Sequence, residues 1–141
     1  MKIRNIIAVV SGILVSLIIV IIGEAMVHVM NPLPANINIQ NKEAFKEFIA
    51  NAPASLHLII LCNYALACFL GGMVSSALAL DKKMNRAMSL GGMFMGVGMF
   101  SLISLSHPIW VVICSVFAFL PFSYLGGILG MKMTSTKNKH E

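Results

Sequence analysis

Charge is what this sequence has least of. Only 11% of its 141 residues are Asp, Glu, Lys or Arg, against about a quarter in an average soluble domain. So few charges cannot wet the surface of a globule this size, which argues against a soluble enzyme or a disordered tail. Cysteine is nearly as scarce. Cys62, Cys68 and Cys114 all lie inside apolar runs, and no CxxC pair occurs. An odd number so placed builds no disulfide framework, and the three read as small buried hydrophobes. Acidic residues number 5 against 10 basic ones. The basic residues flank apolar blocks instead of forming a stripe with interleaved aromatics, so no nucleic-acid partner is expected. No nucleophile–base pair and no HExxH or other catalytic motif occurs, and no enzymatic cofactor is expected.

What the chain has instead is apolar length. Hydrophobic residues make up 58%, and the mean hydropathy is +0.89. A bilayer core of about 30 Å needs around 20 apolar residues in a helix. Four segments meet that length, at about 5–30, 56–80, 87–105 and 109–131. Only helices satisfy every backbone group in lipid without closing a barrel, and these runs lack the alternation of barrel strands. The expected fold is therefore all-α: one transmembrane domain of four helices in a bundle, with the lipid bilayer as its first partner. Lys2 and Arg4 before the first run imitate a signal peptide. The uncharged stretch Ile6–Ile22 has no small-x-small cleavage site after it, and a retained helix is expected.

The basic residues also orient the bundle. Lys2, Arg4, Lys82, Lys83, Arg86, Lys132, Lys137 and Lys139 fall on one side, and Lys42 and Lys46 on the other. The positive-inside rule places the larger set, and both termini, in the cytoplasm of a plasma (inner) membrane protein. Helices in lipid associate through small residues. Gly12, Ser16 and Gly23, then Gly71/Ser75 and Gly72/Ser76, Gly92/Gly96, Ser123/Gly127 and Gly126/Gly130 are the expected contact stripes. They leave homo-oligomerisation open. Pro121 is expected to kink the fourth helix. Tyr64 with Leu70-Gly71-Gly72, and Tyr124-Leu125-Gly126-Gly127, hint at a parallel duplication of two hairpins.

The outer face holds the candidate chemistry. In the loop 31–55, Pro32 and Pro34 predict an extended stretch. Asn41 then caps a short amphipathic helix, about 42–52, which Pro53 ends. Its face of Phe45, Phe48 and Ile49 suits a structural interfacial helix, a lid over a site, or a docking surface. Glu24 and His28, four residues apart, share a face of the first helix. Glu24 lies about 27 Å from Ile6, near the outer boundary, at the level of His57 and His107; Asn63 lies about 9 Å deeper. These five residues are the candidate site. A hydrogen-bonded collar, a proton or small-solute site centred on Glu24, and a metal site on Glu and His all fit that composition. Met88, Met95 and Met99 raise a copper reading that gap-filling methionines equally explain. If the cluster closes, the Glu24 charge should raise histidine pKa values. Trp110 reads as an interfacial anchor.

Glu24 with His28, Pro32-x-Pro34, the short helix before Pro53, Gly71-Gly72 and His107-Pro108-Ile109-Trp110 form a series. It resembles a group of small, uncharacterised four-helix bacterial inner-membrane proteins, over almost the whole chain. The resemblance implies the fold and no activity. Small multidrug transporters also carry a Glu in the first of four helices, but place it mid-membrane between short loops. Four-helix disulfide-forming oxidoreductases need paired periplasmic cysteines. The reading that follows is a non-enzymatic, self-associating membrane protein with an outer Glu/His cluster; a small proton-coupled transporter using Glu24, and an outer-face metal-binding protein or enzyme, are the alternatives.

Overall fold

The computed structural model describes residues 2–32, 34 and 40–137. Five helices account for most of them: α1 (Lys2–Met30), α2 (Lys42–Ala50), α3 (Ala54–Leu78), α4 (Lys83–Ser104) and α5 (Ile109–Lys137). All but α2 are long and apolar enough to cross a membrane, and no strand occurs among the described residues. The extended stretch expected at Pro32–Pro34 lies partly outside the described residues.

Local chemistry explains where each helix stops. Asn31 and Pro32 end α1, since the residue before proline is pushed out of the α region. The Asn41 side chain caps α2, accepting from the Ala44 N–H at 3.3 Å. α2 ends at Ala50, two residues before the expected end, and the Asn51 N–H closes its last turn on Glu47 O at 3.0 Å. α3 starts at Ala54, immediately after Pro53, and Lys82, with φ 45°, makes the turn into α4. Lys83 and Arg86 thus fall in the first turn of α4 and not in a loop, which extends that helix four residues beyond the expected start. α5 passes through Pro121 without interruption and runs six residues past the expected end.

α3 is the hub of the bundle. Its backbone packs against α1, α4 and α5, whereas α1 meets α3 and, marginally, α4, and never α5. Small residues make these approaches possible. A Cβ on Gly12 would lie 2.7 Å from Gly71 O, and one on Gly71 would lie 2.8 Å from Gly12 O, so the α1 and α3 backbones touch there. Serines stitch the same contacts: Ser16 Oγ donates to Ala67 O at 2.8 Å, Ser76 Oγ to Gly127 O at 3.0 Å and Ser123 Oγ to Ala87 O at 2.6 Å. Tyr64, Cys68, Leu102, Val111, Val112 and Phe119 fill the core, with the Tyr64 and Phe119 rings stacked 5.7 Å apart.

One expected stripe does not pack. Gly92 and Gly96 have nothing within 4 Å of where a Cβ would stand, and the glycines of α4 that meet α5 are Gly91 and Gly98. Successive helix residues are turned by about 100°, so a displacement of one position moves a contact from core to lipid.

The end opposite α2 is tied by polar groups. Asn5, 4% exposed, accepts from the Leu80 N–H at 3.0 Å and donates to the Asp81 carboxylate. Asp81 also faces Arg86 at 3.8 Å, and Lys83 Nζ donates to Thr134 Oγ1 at 3.0 Å. Asn5 and Asp81 had no signal in the sequence beyond their position at span ends.

Candidate polar site beneath the α2 helix

α2 does not lie against the bundle. No Cα of α2 comes within 8 Å of a Cα in the four long helices. The gap is a partly enclosed cavity of about 260 Å³. Its roof is the apolar face of α2, where Phe45, Phe48 and Ile49 are half-buried while Lys42, Glu43, Lys46 and Glu47 stay exposed. Its walls are the last turns of α1, the first turns of α3 and the corner between α4 and α5. α2 thus lines the cavity on the side away from the four long helices.

His57 is held by local geometry. On the first turn of α3, Nδ1 lies 3.2 Å from Pro53 O. A carbonyl can only accept, so Nδ1 is the donor in this contact. The ring is 2% exposed, and Nε2 has no hydrogen-bond partner. That is an unpartnered polar atom in a buried place, which native structures seldom leave unexplained.

His107 is placed by the way α4 ends. The Ser106 N–H bonds to Ile103 O and the His107 N–H to Leu102 O, each at 3.1 Å, with Ser106 at φ 58°. This is the paired bonding of a Schellman cap, with serine in the left-handed position that glycine usually takes. The cap turns the chain back over the helix end, which brings His107 to His57. Their rings meet edge to face at 90°, with centroids 5.4 Å apart. His107 Nδ1 also has no partner. Trp110, expected as an interfacial anchor, also packs against His57, with its ring centroid 5.9 Å away.

Glu24 and His28 line the same cavity from α1, but both are exposed. Among the described residues Glu24 makes no hydrogen bond or ion pair, and no imidazole nitrogen lies within 4 Å of its carboxylate. The cluster expected to close on Glu24 therefore surrounds the cavity without closing. Its predicted electrostatic consequence fails with it. Burial first, then the neighbouring His57, push the His107 pKa down, opposed by a hydrogen bond from the ring to the Leu102 backbone carbonyl. Near a helix end, long polar side chains reach toward water, and that removes the need for an inward partner.

Asn63 is not part of the cavity. Its Nδ2 donates to Val20 O at 3.3 Å and ties α3 to α1 below the site. Tyr64, next to it, does reach the cavity, where with Ile60 it forms the floor. The sequence offered no reason to prefer one neighbour, because azimuth decides between them. Among the described residues no group of three or more His, Cys, Asp or Glu is arranged to hold a metal ion. Cys62, Cys68 and Cys114 are all free thiols.

His107 supplies a pH test. With its folded pKa below the ordinary value of about 6.5, the unfolded chain binds a proton that the folded chain resists. The resulting stability is present above the unfolded pKa and is lost as pH falls through the folded one. Glu24, His28, His57 and Tyr64 line the same cavity. Melting temperature in detergent should fall more steeply from pH 7 to pH 5 for the wild type than for His107→Gln. Parallel curves would show that His107 is not the group responsible.

Fold and site together define a small polytopic α-helical membrane protein with a roofed cavity at one end of its bundle. Comparison with protein-family models, with curated proteins and with solved structures finds no match.

Proposed function

We propose that this chain is a non-enzymatic, self-associating protein of the bacterial inner membrane that works at its extracytoplasmic end, where it holds a ligand under α2 and does not pass one across the bilayer. One observation carries this reading: the cavity ends on Tyr64 and Ile60, and beneath it the core of Cys68, Leu102, Val111, Val112 and Phe119 is closed. A path for solute needs polar groups along its length. Of the five buried serines, Ser16, Ser76, Ser115 and Ser123 spend their hydroxyls on backbone carbonyls, and Ser75, whose hydroxyl has no partner, is too isolated to supply one. Orientation rests on the basic bias, eight residues against two. Self-association is supported by the open Gly92/Gly96 stripe, flanked by exposed Met93, Val97 and Phe100.

The test is a pair of measurements on whole cells. In a background without native cysteines, an impermeant maleimide is expected to label Lys46→Cys and spare Lys137→Cys. Ion and solute fluxes are expected to be the same for wild type and Glu24→Gln. A Glu24-dependent flux would replace this reading with a transporter, and equal labelling at both positions would remove the orientation.

A further inference from the structure

Two titratable rings join the start of α3 to the corner between α4 and α5. The His57 and His107 imidazoles meet edge to face with centroids 5.4 Å apart, and Trp110 packs against His57 at 5.9 Å. His57 Nε2 and His107 Nδ1 are both enclosed and have no hydrogen-bond partner. The contact is therefore ring packing and not a hydrogen bond between the two residues. Whichever nitrogen of neutral His107 carries its proton, an imidazolium carries N–H on both. Protonated His107 would hold a donor at Nδ1 with no acceptor in hydrogen-bond geometry, and a positive charge against a second imidazole. Water cannot reach that nitrogen to relieve it, and an unpaired buried charge is costly. Both costs disappear if the ring swings out.

The corner is built to let it go. His107 lies just past the end of α4, only half-buried, in a cap whose left-handed position is filled by Ser106 at φ 58°. Serine is a poorer occupant of that conformation than glycine, so the turn is weakly held. The other titratable groups on the cavity wall are Glu24 and His28 from α1 and Tyr64 from α3. Neither α2, α4 nor α5 turns a charged side chain into it.

We propose that the His57–His107 contact is a proton-operated latch: uptake of a proton by His107 parts the two rings and opens the cavity under α2 between α3 and the α4–α5 corner. Histidine is the side chain whose charge changes near neutral pH, and breaking a packed contact is how such a change moves structure. Burial, then His57, hold the His107 pKa down, and the Leu102 carbonyl opposes them only in part. The closed form thus binds the proton more weakly than the open one. Its advantage is present above the ordinary histidine value of about 6.5 and is lost as pH falls toward the closed-form value. The latch rests on the reading of the cavity as a chamber and adds what controls entry to it.

Two readouts test it on the full chain in dodecyl maltoside from pH 8 to pH 5. Trp110, the only tryptophan, reports on the His57 contact through its emission. Leu56, 7% exposed and on the cavity wall next to His57, reports on opening as Leu56→Cys in a background without native cysteines. Its rate of modification by a methanethiosulfonate is divided by that of the exposed Lys46→Cys, which removes the intrinsic pH dependence of a thiol. The ratio is expected to be low above pH 7 and to rise with acid by at most about tenfold per pH unit, the limit for one proton. Trp110 emission should change over the same range while far-UV circular dichroism stays constant. His107→Phe keeps a ring against His57 but takes no proton, and it should hold the ratio low throughout, as should His107→Gln. His28→Gln should retain the transition.

A transition that survives in His107→Phe overturns the latch, and one lost in His28→Gln assigns the proton elsewhere and overturns it too. A flat ratio while Trp110 emission titrates would mean that the proton is taken up without opening. A ratio that falls with acid would mean that the rings draw together as an imidazolium–imidazole pair, and loss of helicity would mean unfolding; each sinks the proposal. A Glu24-dependent flux in whole cells would remove the chamber reading, whereas the absence of a transition removes the latch alone.

Discussion

Gly72→Leu is expected to prevent stable assembly of the bundle, while Gly92→Leu leaves its thermal stability within a degree or so of wild type. At position 72 an added Cβ would lie 2.6 Å from Ser123 O and 3.2 Å from Ser123 Cα. Both are backbone atoms of α5, so no rotamer change relieves the contact and α3 must move away from α5. Overpacking alone costs about 1–3 kcal/mol. Separation also strains the Ser76 Oγ bond to Gly127 O, worth roughly another 0.6 kcal/mol in a membrane protein. The α3–α5 contact is the most extensive in the molecule, so the loss is felt globally. At position 92 nothing lies within 4 Å, and a leucine there projects into the surroundings. Its expected effect is on association between copies, read as a shift toward monomer by light scattering in detergent. Thermal unfolding followed by circular dichroism separates the two. A stable Gly72→Leu variant would show that the α3–α5 approach is looser than the structure has it. Destabilised monomer in Gly92→Leu would place that glycine at a contact within the chain.

The second large effect concerns Asn5. Its side chain bridges the start of α1 to the turn between α3 and α4, accepting from Leu80 N–H and donating to Asp81. Asn5→Ala removes both bonds and is expected to cost about 2 kcal/mol, mostly from the unsatisfied partners left behind. Asn5→Asp is more informative. It retains an acceptor for Leu80 N–H but sets a carboxylate against Asp81, and like charges at contact distance repel. It should melt lower than Asn5→Ala at pH 7. Adding Asp81→Asn restores a donor facing an acceptor and should recover most of the loss. The interaction energy in this double-mutant cycle should therefore be large and favourable. Additive effects of the two substitutions would mean that Asn5 and Asp81 do not meet.

These tests also separate what was legible along the chain from what was not. The four spans could be read because hydrocarbon thickness is matched by the length of an apolar run, a property of consecutive residues. The level of Glu24, His28, His57 and His107 could be read for the same reason, since rise per residue converts position into depth. The short helix after Asn41 had its cap and its terminating Pro53 in the sequence, and both act locally.

Azimuth was a different matter. In water the apolar stripe of a helix marks its buried face, but lipid tails are as apolar as a core, so that signal vanishes inside a bilayer. Hence Gly92 and Gly96 were expected at a contact that Gly91 and Gly98 make. Hence also the sequence groups Asn63 with the outer Glu/His residues, whereas it is its neighbour Tyr64 that lines the cavity. The pairing of Asn5 with Leu80 and Asp81 spans about 75 positions and depends on α1 lying beside α3. The meeting of His57 with His107 depends on the left-handed Ser106 that turns the chain back at the end of α4. Sequence alone therefore determined how many times this chain crosses a membrane and which polar residues share a depth. Only the tertiary structure decided which of them face one another, because rotation about a helix axis is set by packing partners far away in the chain.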